Sequence, residues 1–283
     1  MGTQPGNVTA LQALSPAKIN LFLHVTGRRA DGYHSLQTVF QLLDWGDDMR
    51  FEHRDQPGIT LSGDTDDIPR AANLIIKAAE ALNHDEHGAH IHIRKRLPRG
   101  GGLGGGSSNA ATTLLALNRL WQLGLPQSSL LEIAEPLGAD VPVFVLGQNA
   151  WAEGTGEVLT PLTLPKRWYV IVQPECEVST AEIFAQPELT RHTVPITVQA
   201  FFSGAGSNDL QAVVLSRYPE VKQAWEWLYQ QSPTACMTGS GACLFAALET
   251  REEAEHIAAI APEGLKVDVA AGLDKLPPMQ EVA

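Results

Sequence analysis

The stretch LPRGGGLGGGSSNAA, residues 97–111, places six glycines within seven positions and follows them with two serines and an asparagine. Each glycine loses more conformational freedom on folding than any other residue, so such a run destabilises the chain unless its backbone has a task. A flexible linker is the simplest alternative. The neighbouring segments argue against it, because linkers do not usually join a charged strand to an amphipathic helix.

The segments on either side of the glycines predict a strand, a loop and a helix. HIHIRKR, residues 90–96, is typical of a strand, and NAATTLLALNRLWQLG, residues 109–124, places apolar side chains on one helical stripe. We expect Ser107 or Ser108 to be the N-cap of this helix and Gly124 to end it. Glycines at such a turn present backbone N–H groups along the positive end of the helix dipole, which predicts an anion site.

Three known phosphate-binding motifs fail to explain the loop. The spacing G-x-G-x-x-G from Gly100 matches a dinucleotide-binding fingerprint, but no second strand ending in an acidic residue follows about 20 residues later. A Walker A loop requires Gly-Lys-Ser/Thr, whereas Gly106 is followed directly by Ser107. The triplet HRD at residues 53–55 precedes the loop, and no DFG occurs, so protein-kinase signatures are incomplete.

Composition and charge narrow the class of protein. The 283 residues allow two domains or one large one, and no apolar run reaches the roughly 18 residues of a membrane span. The chain has 32 acidic and 20 basic residues, and its net charge of −12 repels nucleic acid and anionic lipid. Because no signal peptide is evident either, we expect a soluble cytoplasmic protein that binds neither nucleic acid nor membrane.

The cysteines and clustered histidines do not predict a metal site. Cys176, Cys236 and Cys243 are odd in number and lack CxxC spacing, so we interpret them as buried or incidental thiols. The histidines of NHDEHGAHIH, residues 83–92, fit neither HExxH nor a finger motif. We interpret that segment as a solvated turn that leads into a strand.

The rest of the chain predicts mixed α/β structure without repeats. AKINLFLHVT, residues 17–26, alternates as a strand with Lys18 and Asn20 on one face, and ADGYH supplies an Asp-Gly turn. Asp140 precedes Val-Pro, which is typical of a helix N-cap. Further elements are predicted as a strand at 35–45, a helix at 68–83, a short helix at 128–138, a proline-spaced linker at 161–166, a strand–turn–strand at 234–248 and a capping box of Thr250 with Glu253.

Three segments together resemble the GHMP family of small-molecule kinases. The family's second motif, Pro-x-Gly-x-Gly-Leu-Gly-Gly-Gly-Ser-Ser-Asn-Ala-Ala, is similar to residues 98–111 without a break. Its first motif resembles SPAKINLFL, residues 15–23, and its third resembles MTGSGACLF, residues 237–245. The three motifs stand in the same order as in the family and span nearly the whole chain.

The resemblance implies an α/β fold of two domains with the active site in the cleft between them. The expected N-terminal domain, residues 1–162, binds ATP, and the expected C-terminal domain, residues 163–283, is a ferredoxin-like α/β sandwich. Magnesium should accompany the ATP because it neutralises developing charge. The sequence assigns no protein ligand to the metal, and Ser107 and Ser108 are only candidate contacts.

The resemblance also implies roles for individual residues. Asp140 would take the proton of the attacking hydroxyl, and one carboxylate oxygen could still cap the helix. Lys18 would lie beside this aspartate, hold it ionised and orient it, although by itself it could be a snorkelling lysine at a sheet edge. Asn20 lies on the same strand face and would bond the substrate or the pair. The ATP-binding residues would be Pro98, Arg99, Gly100, Gly101, Gly102, Leu103, Gly104, Gly105, Gly106, Ser107 and Ser108.

Within the family, ADGYH, GADVPVF and AEGTGE resemble a member that phosphorylates the 2-hydroxyl of a cytidine diphosphate ester of methylerythritol, in the non-mevalonate route to isoprenoids. Tyr33 would stack on the cytosine, His34 would read its edge, and Phe184 would supply a ring on the opposite side. The other implied substrate contacts are Thr180, Gly239, Ser240 and Gly241. A bare β-turn would give the same Gly-Ser-Gly sequence.

Phosphorylation of a different small molecule by a GHMP kinase stays open at this point, and so do two functions of other classes. A nicotinamide-dependent oxidoreductase would also use a glycine-rich loop, and fluorescence of bound NADH would test it. A nucleotide-binding module without catalysis is the other alternative, because folds can keep binding and lose chemistry. The presence of both Lys18 and Asp140 argues against it. No feature of the sequence indicates an oligomeric state.

Overall fold

The structure is a computed structural model, and it describes residues 9–65, 68–82 and 86–282. The strands are β1 (Ala10–Arg28), β2 (His34–Arg54), β3 (Gly58–Gly63), β4 (Gly88–Arg94), β5 (Ala150–Glu153), β6 (Val158–Pro161), β7 (Trp168–Gln173), β8 (Cys236–Met237), β9 (Leu244–Leu248), β10 (Lys266–Leu273) and β11 (Gln280–Glu281). The helices are α1 (Leu74–Ala81), α2 (Gly105–Leu120), α3 (Gln127–Ala134), α4 (Val141–Leu146), α5 (Thr180–Ala185), α6 (Val198–Phe202), α7 (Gln211–Arg217), α8 (Pro219–Gln231) and α9 (Arg251–Ala259).

β1 and β2 form a long antiparallel hairpin that carries the first motif. Both strands extend well beyond the predicted 17–26 and 35–45. The predicted turn between them is confirmed: Gly32 has φ +89°, and the Asp31 carboxylate accepts a hydrogen bond from the N–H of Tyr33 at 3.0 Å. Both faces of β1 are buried, since Lys18 and Asn20 are as enclosed as the apolar residues beside them. The polar face of the strand therefore lies inside the molecule.

The helix predicted at 68–83 is shorter than expected. Residues 70–72 form a single 3₁₀ turn, and α1 begins only at Leu74. The Asn73 side chain accepts a hydrogen bond from the N–H of Ile75 at 2.9 Å, so it caps α1 and separates it from the turn. The predicted end at residue 83 lies outside the described residues.

The helix after the glycines is confirmed, but its predicted ends are wrong. α2 begins at Gly105 with Gly104 as its N-cap, so Ser107 and Ser108 lie inside its first turn. It ends at Leu120, and Gln122, with φ +55°, takes the left-handed position that we expected of Gly124. Because α2 starts earlier than predicted, Gly105 and Gly106 supply the first N–H groups of the helix.

The second half of the chain forms the expected ferredoxin-like unit. β7, β8, β9 and β10 are joined by α5 to α8 and by α9, which gives the chain order β-α-β-β-α-β. One sheet with the strand order β11-β1-β2-β10-β7-β9-β8 runs through both halves. Its two halves join where β10 pairs with β2, at Gly272 with Leu43 and Leu273 with Leu42. The predicted α/β fold class is confirmed.

Separate apolar clusters support the two halves. One lies among residues 11–152 under α1 and α2, and the other lies among residues 170–257 with Leu23 and Val25 of β1. A smaller cluster, which includes Ile19, Leu103 and Phe245, connects both halves below the glycines. The boundary at 162/163 stays a prediction.

The cysteines and two histidines of the segment 83–92 lie in defined surroundings. Burial raises the pKa of all three thiols, that of Cys243 to about 12. His84 lies outside the described residues, while His90 and His92 bond the Ser62 hydroxyl. Among the described residues, no group of three potential metal ligands occurs. No helix in this part of the chain combines the length and apolarity needed to cross a membrane.

Candidate active site

The three sequence motifs meet at the glycine loop, which we define as residues 98–106. The N–H of Lys18 in β1 donates to the carbonyl of Leu103 at 3.0 Å. From the other side, the N–H of Ala242, next to the Gly-Ser-Gly turn, donates to the carbonyl of Gly100 at 3.0 Å. Backbone hydrogen bonds thus hold the loop between a strand of the first half and a turn of the second.

At two positions of the glycine loop, neighbouring atoms leave no space for a residue larger than glycine. Gly102 has φ +72°, and a Cβ there would lie 2.2 Å from the carbonyl oxygen of Thr238. Gly104 also has φ +72°, and its Cβ would lie 2.9 Å from the Phe144 ring and 3.1 Å from Cε of Lys18. The glycines therefore allow the loop to pack against both the turn and the lysine.

Lys18 and Asp140 form an ion pair at the N-terminal end of α4. The ammonium nitrogen lies 3.1 Å from Oδ2 of Asp140, with side-chain exposures of 3% and 32%. The predicted N-cap position of Asp140 is confirmed, but its side chain makes no capping hydrogen bond. The carboxylate instead pairs with the buried Lys18 ammonium, and the Asp140 side chain remains partly exposed to solvent.

A polar network completes the surroundings of the lysine. The Lys18 ammonium donates to Oδ1 of Asn20 at 2.7 Å and lies 5.3 Å from the centre of the Phe40 ring. Asn20 Nδ2 donates to Thr38 Oγ1 at 2.9 Å, and the Asn20 N–H donates to Thr238 Oγ1 at 3.0 Å. Asn20 thus bonds the catalytic candidate pair, one of its two predicted roles.

Two cavities flank the glycine loop. The first has a volume of about 390 Å³ and is lined by predicted ATP-binding residues, namely Pro98, Arg99, Gly100, Gly101, Gly102, Leu103, Gly104, Gly105, Gly106 and Ser107. The second has a volume of about 750 Å³ and contains the Lys18–Asp140 pair. Gly100, Gly102 and Ser107 line both cavities, so the loop is the wall that separates them.

The first turn of α2 gives the wall its binding capacity for anions. The first hydrogen bond of the helix runs from the N–H of Ser108 to the carbonyl of Gly104 at 2.8 Å. The N–H groups of residues 105–107 precede that bond, and such groups at a helix N-terminus attract anions. Ser107 also lies close to the Asp140 segment, because a Cβ on Gly138 would be 3.9 Å from its Oγ.

Ser108 does not reach either cavity surface. Its side chain is fully buried, and its hydroxyl accepts a hydrogen bond from Ser15 at 2.9 Å. The structure therefore places Ser108 beneath the loop, away from the predicted ATP contacts.

A buried carboxylate supports the loop from below. Asp47 is fully buried, and Oδ1 accepts from the N–H groups of Arg96 and Leu97 at 2.8 and 2.9 Å. Its Oδ2 accepts from Asn109 Nδ2 at 2.9 Å and from the Lys95 ammonium. Lys95 also lines the first cavity. Asp47 and Lys95 were not among the predicted site residues, although Lys95 lies in the predicted strand 90–96 and Asp47 lies just beyond the predicted strand 35–45.

The second cavity collects most of the predicted substrate residues. Those that line it are Asn20, Tyr33, His34, Thr180, Phe184, Gly239 and Ser240. Thr180 and Ser240 are joined by a 2.6 Å hydrogen bond between their hydroxyls. Gly241 does not line it, since a Cβ there would face Met237 and Val214 behind the turn.

An aromatic group lies at one end of the second cavity. The rings of His34 and Phe184 stack with centroids 4.9 Å apart and planes 28° apart, while Tyr33 is 67% exposed. This direct contact leaves no space for a base between His34 and Phe184, so a base would use the outer ring faces. Partial burial, together with the nearby Arg191 and Arg28, lowers the pKa of His34.

Two parts of the chain match models of a known protein family. Residues 73–148 match the model of the GHMP kinases N terminal domain, and residues 197–267 match that of the GHMP kinases C terminal domain. The chain belongs to the GHMP kinase family. A kinase of this family uses ATP, so the membership leaves no support for the nicotinamide-dependent alternative.

Individual GHMP kinases resemble the whole chain. The 4-diphosphocytidyl-2-C-methyl-D-erythritol kinase of Nitrosospira multiformis is 50% identical over 97% of this chain and 95% of the relative. The enzyme of that name from Marinobacter nauticus is also 50% identical, over 95% of this chain and 96% of the relative. A crystal structure of 4-(cytidine 5'-diphospho)-2C-methyl-D-erythritol kinase superposes with a TM-score of 0.80 at 32% identity, covering 92% of this chain and 98% of that one.

Sequence reasoning about this GHMP kinase missed several side chains of the second cavity. Thr38 and Phe40 lie on β2 opposite the first motif, and Arg28 ends β1 beside the aromatic group. Alternation along β2 would have placed Thr38 and Phe40 on one face. Nothing in the local sequence indicated that this face meets Lys18.

Proposed function

We propose that this chain transfers the γ-phosphoryl group of ATP to the 2-hydroxyl of 4-diphosphocytidyl-2-C-methyl-D-erythritol, giving the 2-phosphate and ADP in the non-mevalonate route to isoprenoids. One observation carries the proposal: the Lys18–Asp140 pair and the His34–Phe184 stack line the same cavity of about 750 Å³. A nucleoside and an acceptor hydroxyl can thus belong to one ligand. The relatives at 50% identity support this assignment.

Asp140 acts as the general base in the proposed reaction. It accepts the proton of the 2-hydroxyl while the hydroxyl oxygen forms a bond to the γ-phosphorus of ATP. The bond between that phosphorus and the bridging oxygen breaks, and its electron pair leaves with ADP. Lys18 orients the carboxylate through the 3.1 Å ion pair, and Asn20 holds the ammonium in place.

The glycine loop positions the phosphates of ATP. The nucleotide occupies the first cavity, and the N–H groups of the first turn of α2 bond phosphate oxygens. Because Ser107 lines both cavities, the γ-phosphoryl group crosses the wall near this residue. Positioning of this kind supplies much of the rate enhancement in phosphoryl transfer.

Magnesium fits the site as a companion of ATP. Mg²⁺ commonly takes one or two protein oxygens and several phosphate and water oxygens, and the described residues contain no cluster of three side-chain ligands that would form a cage. The Ser107 hydroxyl, at the wall between the cavities, is the side chain that would hold it. When bound, the ion would neutralise charge on the transferred phosphoryl group.

The division into domains and the cellular location belong to the same proposal. We assign residues 1–162 to an ATP-binding domain and residues 163–283 to a C-terminal domain, and the separate apolar clusters support that division. Because the reaction consumes ATP, we place it in the cytoplasm.

Product analysis tests the proposed function. The protein is incubated with ATP, magnesium and 4-diphosphocytidyl-2-C-methyl-D-erythritol, and ³¹P NMR follows the products. We expect one ADP for each new phosphate monoester on the 2-oxygen, and we expect the Asp140→Asn variant to form almost none. ADP formation at the same rate with and without the acceptor would overturn the proposal.

A further inference from the structure

Arg191 bonds the His34 side chain and the backbone carbonyl of Phe184, and it does not itself line the second cavity. Its Nε–H donates to Nε2 of His34 at 3.2 Å. One terminal nitrogen donates to the carbonyl of Leu189 at 3.0 Å, and the other donates to the carbonyls of Phe184 and Gln186 at 2.9 and 2.5 Å. Each nitrogen of the planar guanidinium therefore bonds the protein, so the side chain is held in one orientation.

These contacts join two parts of the chain that are far apart in sequence. His34 begins β2 in the first half, whereas Phe184 and Gln186 lie at the end of α5 in the second half. The carbonyls at the end of a helix lack intrahelical partners, so the guanidinium supplies donors to them. Arg191 thus fixes the end of α5 and the His34 ring at the same time.

We infer that Arg191 is a positioning residue that fixes the ring and the tautomer of His34, so that the cavity offers a cytosine a donor at Nδ1. Identifying the ligand as a cytidine ester rests on the proposed function. The contacts of Arg191 with His34 and α5 do not depend on that assignment.

The tautomer follows from the chemistry of the two groups. A guanidinium only donates hydrogen bonds, so Nε2 of His34 must be the acceptor in the 3.2 Å contact. In neutral imidazole the proton then resides on Nδ1. A second proton on Nε2 would face the donor directly and break the contact.

Charge near the ring acts in the same direction. The positive side chains around His34 are those of Arg191 and Arg28, and with partial burial they lower the pKa of the imidazole. Arg28 pairs with His34 across the hairpin. His34 is therefore neutral near pH 7, with a single N–H donor.

A fixed donor at Nδ1 discriminates between pyrimidine bases. Cytosine has an unprotonated N3 that accepts a hydrogen bond, whereas uracil carries a proton at N3 and would oppose the donor. Mispaired buried donors lower affinity more than a missing contact does. Arg191 therefore contributes to base selectivity through His34, without contact with the reacting atoms.

The first test uses kinetics of the Arg191→Gln variant, with Arg167→Gln as the matched control. Arg167 is partly exposed and pairs with Glu249, and neither residue lines the two cavities. We expect Arg191→Gln to raise KM for the cytidine ester by about 10-fold and to reduce its preference over the uridine ester, while KM for ATP is unchanged. If Arg191→Gln does not fold, Arg191→Lys, which lacks the planar fork, is measured instead. An equal change in KM for the cytidine ester and for the uridine ester would overturn the inference.

The second test uses the protein without substrate. Long-range ¹H–¹⁵N NMR spectra report the histidine tautomers, and comparison with His34→Ala identifies the His34 signals. We expect Nδ1 to be protonated in the unmodified protein, and we expect a higher pKa and mixed tautomers in Arg191→Gln. Unchanged signals would contradict the inference. If these spectra behave as expected but the cytidine ester is not phosphorylated, the proposed function fails and the positioning role stands.

Discussion

At the residue scale, the proposed reaction depends on Asp140 and its accessible carboxylate. The side chain is paired with a buried ammonium on one side and exposed to the second cavity on the other. Because it does not cap α4, its replacement by an isosteric amide leaves the helix start intact. Replacing Asp140 by asparagine therefore tests its role in proton transfer without disturbing the fold.

We predict that Asp140→Asn lowers kcat by about 10² to 10⁴, because the amide cannot accept the proton of the attacking hydroxyl. The affinity for ATP, measured by calorimetry, should change little. Turnover close to that of the unmodified protein would remove Asp140 from the mechanism.

A second residue-scale prediction concerns His34. His34→Ala removes the donor to the base and the stack on Phe184, so kcat/KM for the cytidine ester should fall roughly 10- to 100-fold. Basal ATP hydrolysis should be unaffected. The exposed His256 of α9 provides a control, since His256→Ala should change neither quantity. A comparable loss in both variants would argue against the base-binding role.

At the element scale, the glycine loop combines positions that the fold requires with positions that the ligand requires. Gly102 has no space for a Cβ, whereas a Cβ on Gly106 would meet, among the residues that the structure describes, only Leu74, at 3.5 Å. Gly106 nevertheless lines the first cavity. Gly104 is less informative, because a side chain there would press on both Phe144 and Lys18.

We predict that Gly106→Val weakens ATP binding by at least about 10-fold, because its side chain projects where the nucleotide must approach. Binding of the cytidine ester and the melting temperature should stay nearly constant. Gly102→Ala should instead destabilise the fold by more than about 2 kcal/mol in urea denaturation, because it adds a clash at positive φ. Equal loss of both ligands in Gly106→Val would contradict this separation.

The support beneath the loop gives another element-scale prediction. Asp47→Asn places a donor where Lys95 and Asn109 already donate, so it should lower the free energy of unfolding by about 3 kcal/mol. Asp48→Asn is the matched control: its ion pair with Arg96 is partly exposed, and it should cost less than about 1 kcal/mol. Urea denaturation measures both values, and similar losses would contradict the supporting role of Asp47.

The elements themselves were predictable wherever local pattern decides them. Alternation in residues 17–26 and the helical stripe after the glycines indicated β1 and α2, and the capping box of Thr250 and Glu253 is present in α9. The predicted start of α2 was wrong because glycine occupied the cap that serine was expected to take, and the predicted end was wrong because Gln122 took the left-handed position. β3 gave no clear signal, since its pairing with β4 joins segments separated by α1.

At the scale of the whole molecule, the site forms where distant segments meet. The resemblance of three motifs placed Lys18, the glycine loop and the Gly-Ser-Gly turn together, and the structure shows the backbone hydrogen bonds that join them. Arg191 and Asp47 were not predictable, because their roles depend on partners more than 40 residues away. Such contacts are set by tertiary packing and leave no local pattern.

The acceptor specificity of the unmodified protein is the sharpest test of the proposed reaction. With ATP and magnesium, kcat/KM is measured for 4-diphosphocytidyl-2-C-methyl-D-erythritol, for its uridine counterpart and for free methylerythritol. We predict efficient turnover of the cytidine ester and very poor turnover of methylerythritol, because binding of the nucleotide positions the hydroxyl beside Asp140. Equal turnover of the cytidine and uridine esters, or efficient phosphorylation of free methylerythritol, would contradict this prediction.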